Sequence, residues 1–317
     1  MEFTEKLKER FCKDCGISIK IFQEPYFTER LHLYDCLYNS VAKWELFKKE
    51  LENYDNEQDY FEEYNRVKDL AMDFIKSRES YQMFNNIDMN RYPITHKNIT
   101  DKDIFKETND GKTFISIDMR KANFSSMKHF NKDIFDGAET WEDFIRKFTK
   151  NEHIANSKYI RQVIMGNCNP KRQVAYEKYC MDQVLTFLEK ELPYDNYKVV
   201  FFSNDEIVLD VTETTKKERL KLYGEIANGL ILTFDIPFRV ELFNLHKIVG
   251  TKGYYKEIYI DENKTGIDIK CLDSFMLPFV LRKATGQEFQ ESDFIFCHEG
   301  MLSKFVTTPK FELKKIL

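Results

Sequence analysis

The sequence has little glycine and proline, with 11 and 7 among its 317 residues. This scarcity excludes a collagen-like or low-complexity disordered chain. It also has no run of about 18 apolar residues, which is the length that a membrane-spanning helix needs. The first residues, MEFTEKLKERF, are charged and lack the apolar centre of a signal peptide. We therefore expect no membrane partner and a cytoplasmic location.

A disulfide framework is also missing, because the seven cysteines are odd in number and scattered. We expect reduced thiols. Four N-terminal residues have a spacing compatible with zinc, namely Cys12, Cys15, His32 and Cys36. The apolar residues between them are more typical of a packed strand, and Cys36 falls on the apolar side of a predicted helix. Buried free cysteines are therefore the favoured interpretation.

Neither sign of charge predominates, since 48 basic residues face 53 acidic ones and the formal net charge is −5. A nucleic-acid-binding surface would therefore have to be local. The motifs G-x-x-x-x-G-K-[ST], G-x-S-x-G, H-E-x-x-H and G-x-G-x-x-G are absent from the sequence. With 42% hydrophobic residues, the chain can bury a sizeable core, and its length predicts two domains or one large one.

Residues 1–107 predict a mainly helical N-terminal lobe. Apolar residues recur there at the three- and four-residue spacing of helix faces. The two series are Leu33, Cys36, Leu37, Val41, Trp44, Phe47 and Leu51, then Phe61, Tyr64, Val67, Leu70, Ala71, Phe74 and Ile75. Polar residues 85–111 predict a connector.

Residues 108–250 predict a small antiparallel sheet with helices on one face. Strand patterns cover 113–117, 198–202, 207–209 and 238–242, and helical patterns cover 141–148, 171–192 and 216–232. A further hairpin is predicted from 254–260 and 266–271, turning at Glu262-Asn263-Lys264. This order predicts an α+β fold, with residues 251–317 as a small C-terminal α/β extension.

Carboxylates are predicted to lie at the ends of two of these strands. Asp118 follows the first strand run, and Asp205 and Glu206 lie at the tip of the 198–209 hairpin. Two-metal phosphoryl transfer uses carboxylates held in this way to bind two ions about 3.5–4 Å apart. Mg²⁺ prefers oxygen ligands and keeps several waters, so few carboxylates suffice. The expected cofactor is Mg²⁺ or Mn²⁺.

Two segments resemble polymerase motifs. Residues 114–125, FISIDMRKANFS, resemble motif A of reverse transcriptases, whose retroviral members carry D-x-x-x-A-Y-F-S. Residues 199–206, VVFFSNDE, resemble the Y-x-D-D hairpin of motif C. Residues 161–173, RQVIMGNCNPKRQ, occupy the place of motif B, a glycine-containing loop before a helix, and the strand toward Lys247 resembles motif D. The resemblance implies a palm domain in which Asp118 and Asp205 bind metal and Glu206 assists.

The sequence departs from the reverse-transcriptase pattern at informative places. The aromatic residue that blocks a ribose 2′-hydroxyl in that family is Asn123 here, which implies a preference for ribonucleotides. The Pro-Gln-Gly of motif B is absent, and Glu206 replaces the second Asp. The tail after Gly250 is short for a complete thumb. A protein partner that completes the nucleic-acid groove is therefore one expectation.

The same residues resemble a second family, the tRNA-His guanylyltransferase-like enzymes. Residues 117–120, IDMR, with Phe124 are similar to their I-D-G-R-x-F stretch, and residues 203–206, SNDE, are similar to their S-D-E motif. Their glycine is Met119 here, and the histidine that precedes their phenylalanine is Asn123. This resemblance implies that the backbone carbonyl of Met119 is a metal ligand beside Asp118 and Asp205.

Together the motifs and nearby basic residues define a predicted nucleotide site. Its residues are Met119, Arg120, Lys121, Asn123, Phe124, Arg161, Gly166, Asn167, Lys171, Arg172 and Lys247. The expected activity adds nucleotides, preferably ribonucleotides, from NTPs to a 3′-hydroxyl of an RNA or DNA primer or template. A guanylyltransferase-like enzyme, a template-free nucleotidyltransferase and a cyclase stay open as alternatives. So does a non-catalytic nucleic-acid-binding or structural protein.

Overall fold

The structure is a computed structural model that describes residues 3–99, 103–192, 197–260 and 265–313. It confirms an α+β fold with a helical N-terminal region and an antiparallel sheet. The helices are α1 (Glu5–Cys15), α2 (Tyr26–Leu33), α3 (Asp35–Tyr38), α4 (Ser40–Leu51), α5 (Glu57–Ser77), α6 (Glu79–Asn85), α7 (Ala122–Phe130), α8 (Trp141–Ile145), α9 (Glu152–Asn156), α10 (Lys158–Gly166), α11 (Pro170–Glu191), α12 (Lys216–Thr233) and α13 (Leu277–Ala284). The strands are β1 (Thr113–Met119), β2 (Lys198–Phe202), β3 (Glu206–Asp210), β4 (Phe238–Lys247), β5 (Tyr254–Tyr259), β6 (Thr265–Lys270), β7 (Ile295–His298) and β8 (Met301–Lys304).

The helices of the N-terminal region begin and end at residues that satisfy their free backbone groups. The Thr4 hydroxyl accepts from the Leu7 N–H at the start of α1, and Asn56 accepts from the Asp59 N–H at the start of α5. Gly16 ends α1 in the left-handed conformation, with φ of 65°. In the described parts of the chain, every helix is too short or too polar to cross a lipid bilayer.

The predicted helix through residues 33–51 is interrupted in the structure. The chain leaves helical geometry at Tyr34 and again at Asn39, whose φ is 49°, so three shorter helices replace one. This break leaves Cys36 exposed, whereas Trp44, Phe47 and Leu51 are buried as the spacing predicts. In α5 the predicted apolar face is buried at most positions, but Leu70 is 43% exposed. Periodicity therefore located the helices better than their limits.

The main sheet has six strands in the order β2-β3-β1-β4-β5-β6, and every neighbouring pair is antiparallel. Its first four strands follow the chain order β1, helices, β2, β3, helix, β4. This is the split β-α-β-β-α-β arrangement, in which β1 and β3 are central neighbours. The end of β1 therefore lies beside the β2–β3 turn. The β5–β6 hairpin extends the sheet at β4, and its predicted turn at Glu262-Asn263-Lys264 lies outside the described residues.

The two faces of the sheet differ in their cover. Alternate side chains of a strand point to opposite faces, and Ile115, Ile117 and Met119 join the largest hydrophobic cluster with residues of α7, α11 and α12. We call this helix-covered side the back face. The front face carries Phe114, Ser116 and Asp118 of β1. Its apolar half, around Phe114, packs against Ile104, whereas the half with Asp118 is partly exposed.

The largest hydrophobic cluster extends from Leu7 to Leu281 and joins the N-terminal helices to the back face of the sheet. Strands β5 and β6 continue the same sheet past residue 250. The division at residues 107 and 250 stays a prediction. One element differs from expectation near the site, because residues 161–166 of the expected motif B loop form the second half of α10. The loop itself is confined to residues 167–169.

Candidate functional site

The predicted carboxylates meet where β1 ends beside the β2–β3 turn. In the sheet register, Asp118 lies directly opposite Glu206 of β3 on one side and Arg239 of β4 on the other. Directly opposite residues of antiparallel strands carry their side chains on the same face, with Cβ atoms about 4.5–5.5 Å apart. The three side chains therefore form one row across the front face.

Asp205 lies in the β2–β3 turn, beside the end of β1, and local hydrogen bonds set its position. The Ser203 hydroxyl donates to Oδ1 of Asp205 at 3.0 Å and accepts from the backbone N–H of Glu206 at 2.9 Å. The N–H of Met119 donates to the backbone carbonyl of Asp205 at 2.8 Å, which ties the end of β1 to the turn. Short, local hydrogen bonds thus fix Asp205 next to Asp118.

Burial and like charge act together on these carboxylates. Burial raises the pKa of Asp118, Arg239 opposes that change, and the negative charge of Asp205 adds to it. Burial also raises the pKa of Glu206, opposed by Lys256 and reinforced by Asp118 and Asp205. Neighbouring negative charge therefore disfavours ionisation of Asp118 and of Glu206. A bound cation would relieve this repulsion.

Two cations of the front face were missed in the sequence. Nη2 of Arg239 donates to Oδ2 of Asp118 at 3.0 Å, and its Nη1 lies 3.5 Å from Oε1 of Glu241. Nζ of Lys256 lies 3.6 Å from Oε2 of Glu241 and 4.3 Å from the centre of the Phe243 ring. The available signal was the alternation of charged and apolar residues along FRVEL at 238–242.

A third missed residue, Glu177 of α11, supports the hairpin tip from the back. It is 4% exposed, and its Oε2 accepts from Nδ2 of Asn204 at 2.6 Å. Burial raises the pKa of Glu177 to about 7; the Asn204 bond opposes that change and the charge of Asp205 adds to it. Glu177 therefore connects α11 to Asn204, the residue before Asp205.

The donor set has the chemistry that Mg²⁺ or Mn²⁺ uses. Asp118 and Asp205 supply carboxylate oxygens, and Met119 supplies a backbone carbonyl between two fixed elements. No group of three or more histidine, cysteine, aspartate or glutamate side chains is arranged as a metal site within the described residues. Mg²⁺ keeps several waters as ligands, so it needs few protein oxygens. These oxygen donors therefore fit the ligand chemistry of Mg²⁺ or Mn²⁺.

Residues just after Asp118 lie close to the carboxylates. Arg120 is exposed, and Asn123 lies in the first turn of α7, where its side-chain oxygen accepts from the Phe124 N–H. Nζ of Lys121 donates to Oε1 of Glu142 at 2.6 Å, so its charge already has a partner. The exposed Arg120 is thus accessible to a ligand at Asp118, whereas Asn123 is half-buried with its side-chain oxygen bonded and Lys121 must first leave Glu142.

The predicted motif B residues divide into available and occupied side chains. Lys171 is exposed at the start of α11, about 9 Å along the helix axis from Glu177. Gly166 and Asn167 are exposed at the end of α10. The Arg172 guanidinium donates to the backbone carbonyl of Ile87.

Arg161 is only half-buried, but its Nε is inaccessible and without a hydrogen-bond partner in the part of the chain that the structure describes. Burial lowers the pKa of its guanidinium, and Glu142 opposes this change. Lys171 is the clearest free cation of the motif B group.

Two predicted nucleotide-binding residues are not brought to the site. Phe124 is 3% exposed and packs its ring against Phe135, so it belongs to the core. Lys247 lies eight residues after Arg239 on β4, which corresponds to about 27 Å along an extended strand. Its Nζ contacts the Tyr254 ring at the opposite end of the sheet.

The N-terminal cysteines and the histidine considered for zinc differ in their burial. Cys12 is buried in α1, whereas His32 and Cys36 are exposed on α2 and α3. All seven cysteines of the chain are unpaired.

Comparisons with protein-family models, with curated proteins and with solved structures find no match for this chain.

Proposed function

We propose that this protein is a metal-dependent nucleotidyltransferase that uses NTPs, with Asp118 and Asp205 as its metal-binding carboxylates. The observation that carries the proposal is the split β-α-β-β-α-β sheet, which brings the end of β1 to the tip of the β2–β3 hairpin on a partly exposed face. This is the arrangement expected for a polymerase palm. Burial and neighbouring carboxylates raise the pKa values of Asp118 and Glu206, and this supports a site that would be stabilised by binding a cation.

Each of the three carboxylates at the end of β1 and the hairpin tip has a distinct part in this proposal. Asp118 and Asp205 would hold Mg²⁺ or Mn²⁺. Glu206, the first residue of β3, adds negative charge beside them. When bound, the two ions lower the pKa of the attacking hydroxyl and neutralise charge on the leaving oxygen. The hydrogen bonds of Ser203 and Met119 keep the two aspartates in register, because positioning carries most of the catalysis in phosphoryl transfer.

The proposed reaction joins an acceptor hydroxyl to a nucleotide. The 3′-oxygen of a nucleic-acid acceptor forms a bond to the α-phosphorus of the NTP. The bond from that phosphorus to the bridging oxygen breaks, pyrophosphate leaves, and the hydroxyl proton passes to solvent. Arg120 and Lys171 bind phosphate oxygens, and Asn123 lies beside the sugar, where its small amide admits a 2′-hydroxyl. The unpaired cysteines suit the reducing cytoplasm in which we place this activity.

The direct test is incorporation of labelled NTPs and dNTPs into primed and unprimed RNA and DNA, with Mg²⁺ and with Mn²⁺. Asp205→Ala is compared with the wild type and with Asp69→Ala, which removes an exposed aspartate from α5. We expect Asp69→Ala to behave as the wild type and Asp205→Ala to lose incorporation while staying folded. Equal incorporation by all three proteins would refute the role of Asp205.

The products of this assay separate the palm-type alternatives. Addition at a 3′-end that follows a template identifies a polymerase, and addition without a template identifies a template-free transferase. Labelling of a 5′-end identifies a guanylyltransferase-like activity, and a cyclic product without an acceptor identifies a cyclase. All four use Asp118 and Asp205 in the same way.

One observation favours a second candidate, a non-catalytic nucleic-acid-binding protein. Arg239 occupies the Asp118 carboxylate, which is where a metal ion would bind. In that case the protein, titrated calorimetrically with Mg²⁺ and NTP, would give no heat of binding. Retention of an RNA or DNA oligonucleotide would then identify the binding role.

A further inference from the structure

We infer that Arg239 is a mobile cation that neutralises Asp118 before substrate arrives, and then moves to a phosphate oxygen when a metal–triphosphate complex binds. This inference rests on the proposed function and deepens it, because it assigns a triphosphate-binding residue of the same site. It also predicts that metal and nucleotide bind as a unit.

The position of Arg239 is set by the sheet register. It lies directly opposite Asp118 on the adjacent strand, and its Nη2 donates to Oδ2 of Asp118 at 3.0 Å. Its Nη1 lies 3.5 Å from Glu241, two residues further along the same face. Arg239 therefore bridges a proposed metal ligand and a carboxylate outside the proposed metal site.

The neighbouring cation, Lys256, has a different environment. Its side chain is 5% exposed and its Nζ lies over the Phe243 ring, so packing fixes it. The Arg239 side chain is 48% exposed. A half-exposed arginine can change rotamer without leaving a cavity or an unpaired buried charge, whereas Lys256 cannot. Of the two cations, Arg239 is therefore the one that can move.

Metal binding at Asp118 requires that movement. The guanidinium and a divalent ion would compete for the Asp118 carboxylate and would repel each other at the distance of a shared ligand. A triphosphate that arrives with the metal offers oxygen acceptors in the bidentate geometry that arginine prefers. Glu241 keeps the displaced side chain on the front face. The same residue thus opposes metal alone and favours metal with nucleotide.

The test measures these two affinities separately. Mn²⁺ alone, and then a non-hydrolysable NTP analogue at saturating Mn²⁺, are titrated into the wild type, Arg239→Gln and Arg239→Lys. The control is Arg146→Gln, which removes a half-exposed arginine paired with Glu152 on the helical side of the molecule. Circular dichroism and thermal unfolding verify that every variant is folded.

We expect Arg239→Gln to bind Mn²⁺ alone about tenfold more tightly and the analogue about tenfold more weakly, within the usual range of coupling between ligands. Arg239→Lys keeps the charge, so its Mn²⁺ affinity should stay near that of the wild type. Arg146→Gln should change neither affinity. Opposite shifts of the two affinities are the signature, because a merely structural arginine would move both in the same direction.

The outcomes also separate this inference from the proposed function. If the wild type binds Mn²⁺ through Asp118 but Arg239→Gln leaves the two affinities unchanged, or weakens both, the inference is overturned and the proposed function stands. If no variant binds Mn²⁺, with or without the analogue, both fail together.

Discussion

Two aspartates of this molecule have opposite surroundings. Asp14, in the N-terminal helices, is 1% exposed and accepts hydrogen bonds from Ser157 at 2.7 Å, Tyr64 at 2.7 Å and the His153 ring at 3.1 Å. Asp118, at the end of β1, has Arg239 as its side-chain partner within the described residues and has carboxylates as its other charged neighbours. One aspartate is fully supplied with donors, and the other is not.

The difference teaches which cluster to associate with chemistry. A buried carboxylate with several donors is stabilised by the protein and gains nothing from a ligand. Groups with perturbed pKa values are concentrated at functional sites, and neighbouring negative charge raises the pKa of both Asp118 and Glu206. The cluster of Asp14, His153 and Ser157 contains the residue types of a hydrolase triad, but both its serine and its histidine donate to the aspartate. No serine–histidine pair is formed for nucleophilic attack.

The largest expected effect on activity comes from removing the charge of Asp118, the aspartate with few hydrogen-bond donors. Asp118→Asn should reduce nucleotide incorporation at least about 10³-fold, because the proposed catalysis would depend on electrostatic stabilisation by bound metal. Its free energy of unfolding without metal should change by less than about 1 kcal/mol, since the lost Arg239 pair is partly exposed and repulsion from Asp205 is relieved. Steady-state incorporation and urea unfolding measure the two effects. Loss of both activity and several kcal/mol of stability would make Asp118 structural, whereas Asp69→Asn should affect neither.

The matching change at Asp14 should have the reverse pattern. Asp14→Ala leaves three buried donors without an acceptor, and we expect the free energy of unfolding to fall by about 3 kcal/mol. Incorporation per folded molecule should be unchanged. Urea unfolding with a folded-fraction correction measures this. If Asp14→Ala is as stable as the wild type, full hydrogen bonding is not what distinguishes the two aspartates.

Much of the sheet could be predicted from sequence because its signals are local. Short apolar runs identified strands β1 to β6 within about two residues, except for the end of β4, and the chain order limited how the strands could pair. The α+β class was confirmed for the same reason. The register that places Asp118 directly opposite Glu206 was not part of that prediction.

The remainder depends on contacts between distant residues. Strand β4 continues five residues past the predicted end at Leu242, and this carries Lys247 to the far end of the sheet. The assignment of Arg239 to Asp118 needs the β1–β4 register, which no local pattern contains. Arg172 is taken up by the backbone carbonyl of Ile87, 85 residues away along the chain. Long-range pairing therefore decides which basic residues remain available.

Glu177 has surroundings intermediate between those of Asp14 and Asp118, since it is buried like Asp14 but lies near Asp205. Its pKa in the folded protein is about 7, against an ordinary value of 4.5, mainly because of burial. A group with a raised folded pKa lowers stability as it ionises. The free energy of unfolding should therefore fall as pH rises from about 4.5 to above 7, by about 3 kcal/mol at most.

Glu177→Gln removes the ionisable group and keeps an acceptor for Asn204. The difference in unfolding free energy between the variant and the wild type should grow with pH across that window. Urea unfolding at pH 5, 6, 7 and 8 in the presence of a chelator measures it. A difference that stays constant with pH would mean that folding does not raise the pKa of Glu177.

The smallest expected effect concerns the sugar of the nucleotide. Asn123 lies in the first turn of α7, five residues after Asp118, and its side-chain oxygen is already bonded to the Phe124 N–H. Asn123→Tyr places a ring where a ribose 2′-hydroxyl would lie, and we expect the NTP preference over dNTP to fall about tenfold through a higher KM for NTPs. Asn123→Gln, which stays polar, is the control and should keep the preference. If Asn123→Tyr alters incorporation of NTPs and dNTPs equally, the sugar binds elsewhere, and Asn123 belongs with the structurally satisfied residues represented by Asp14.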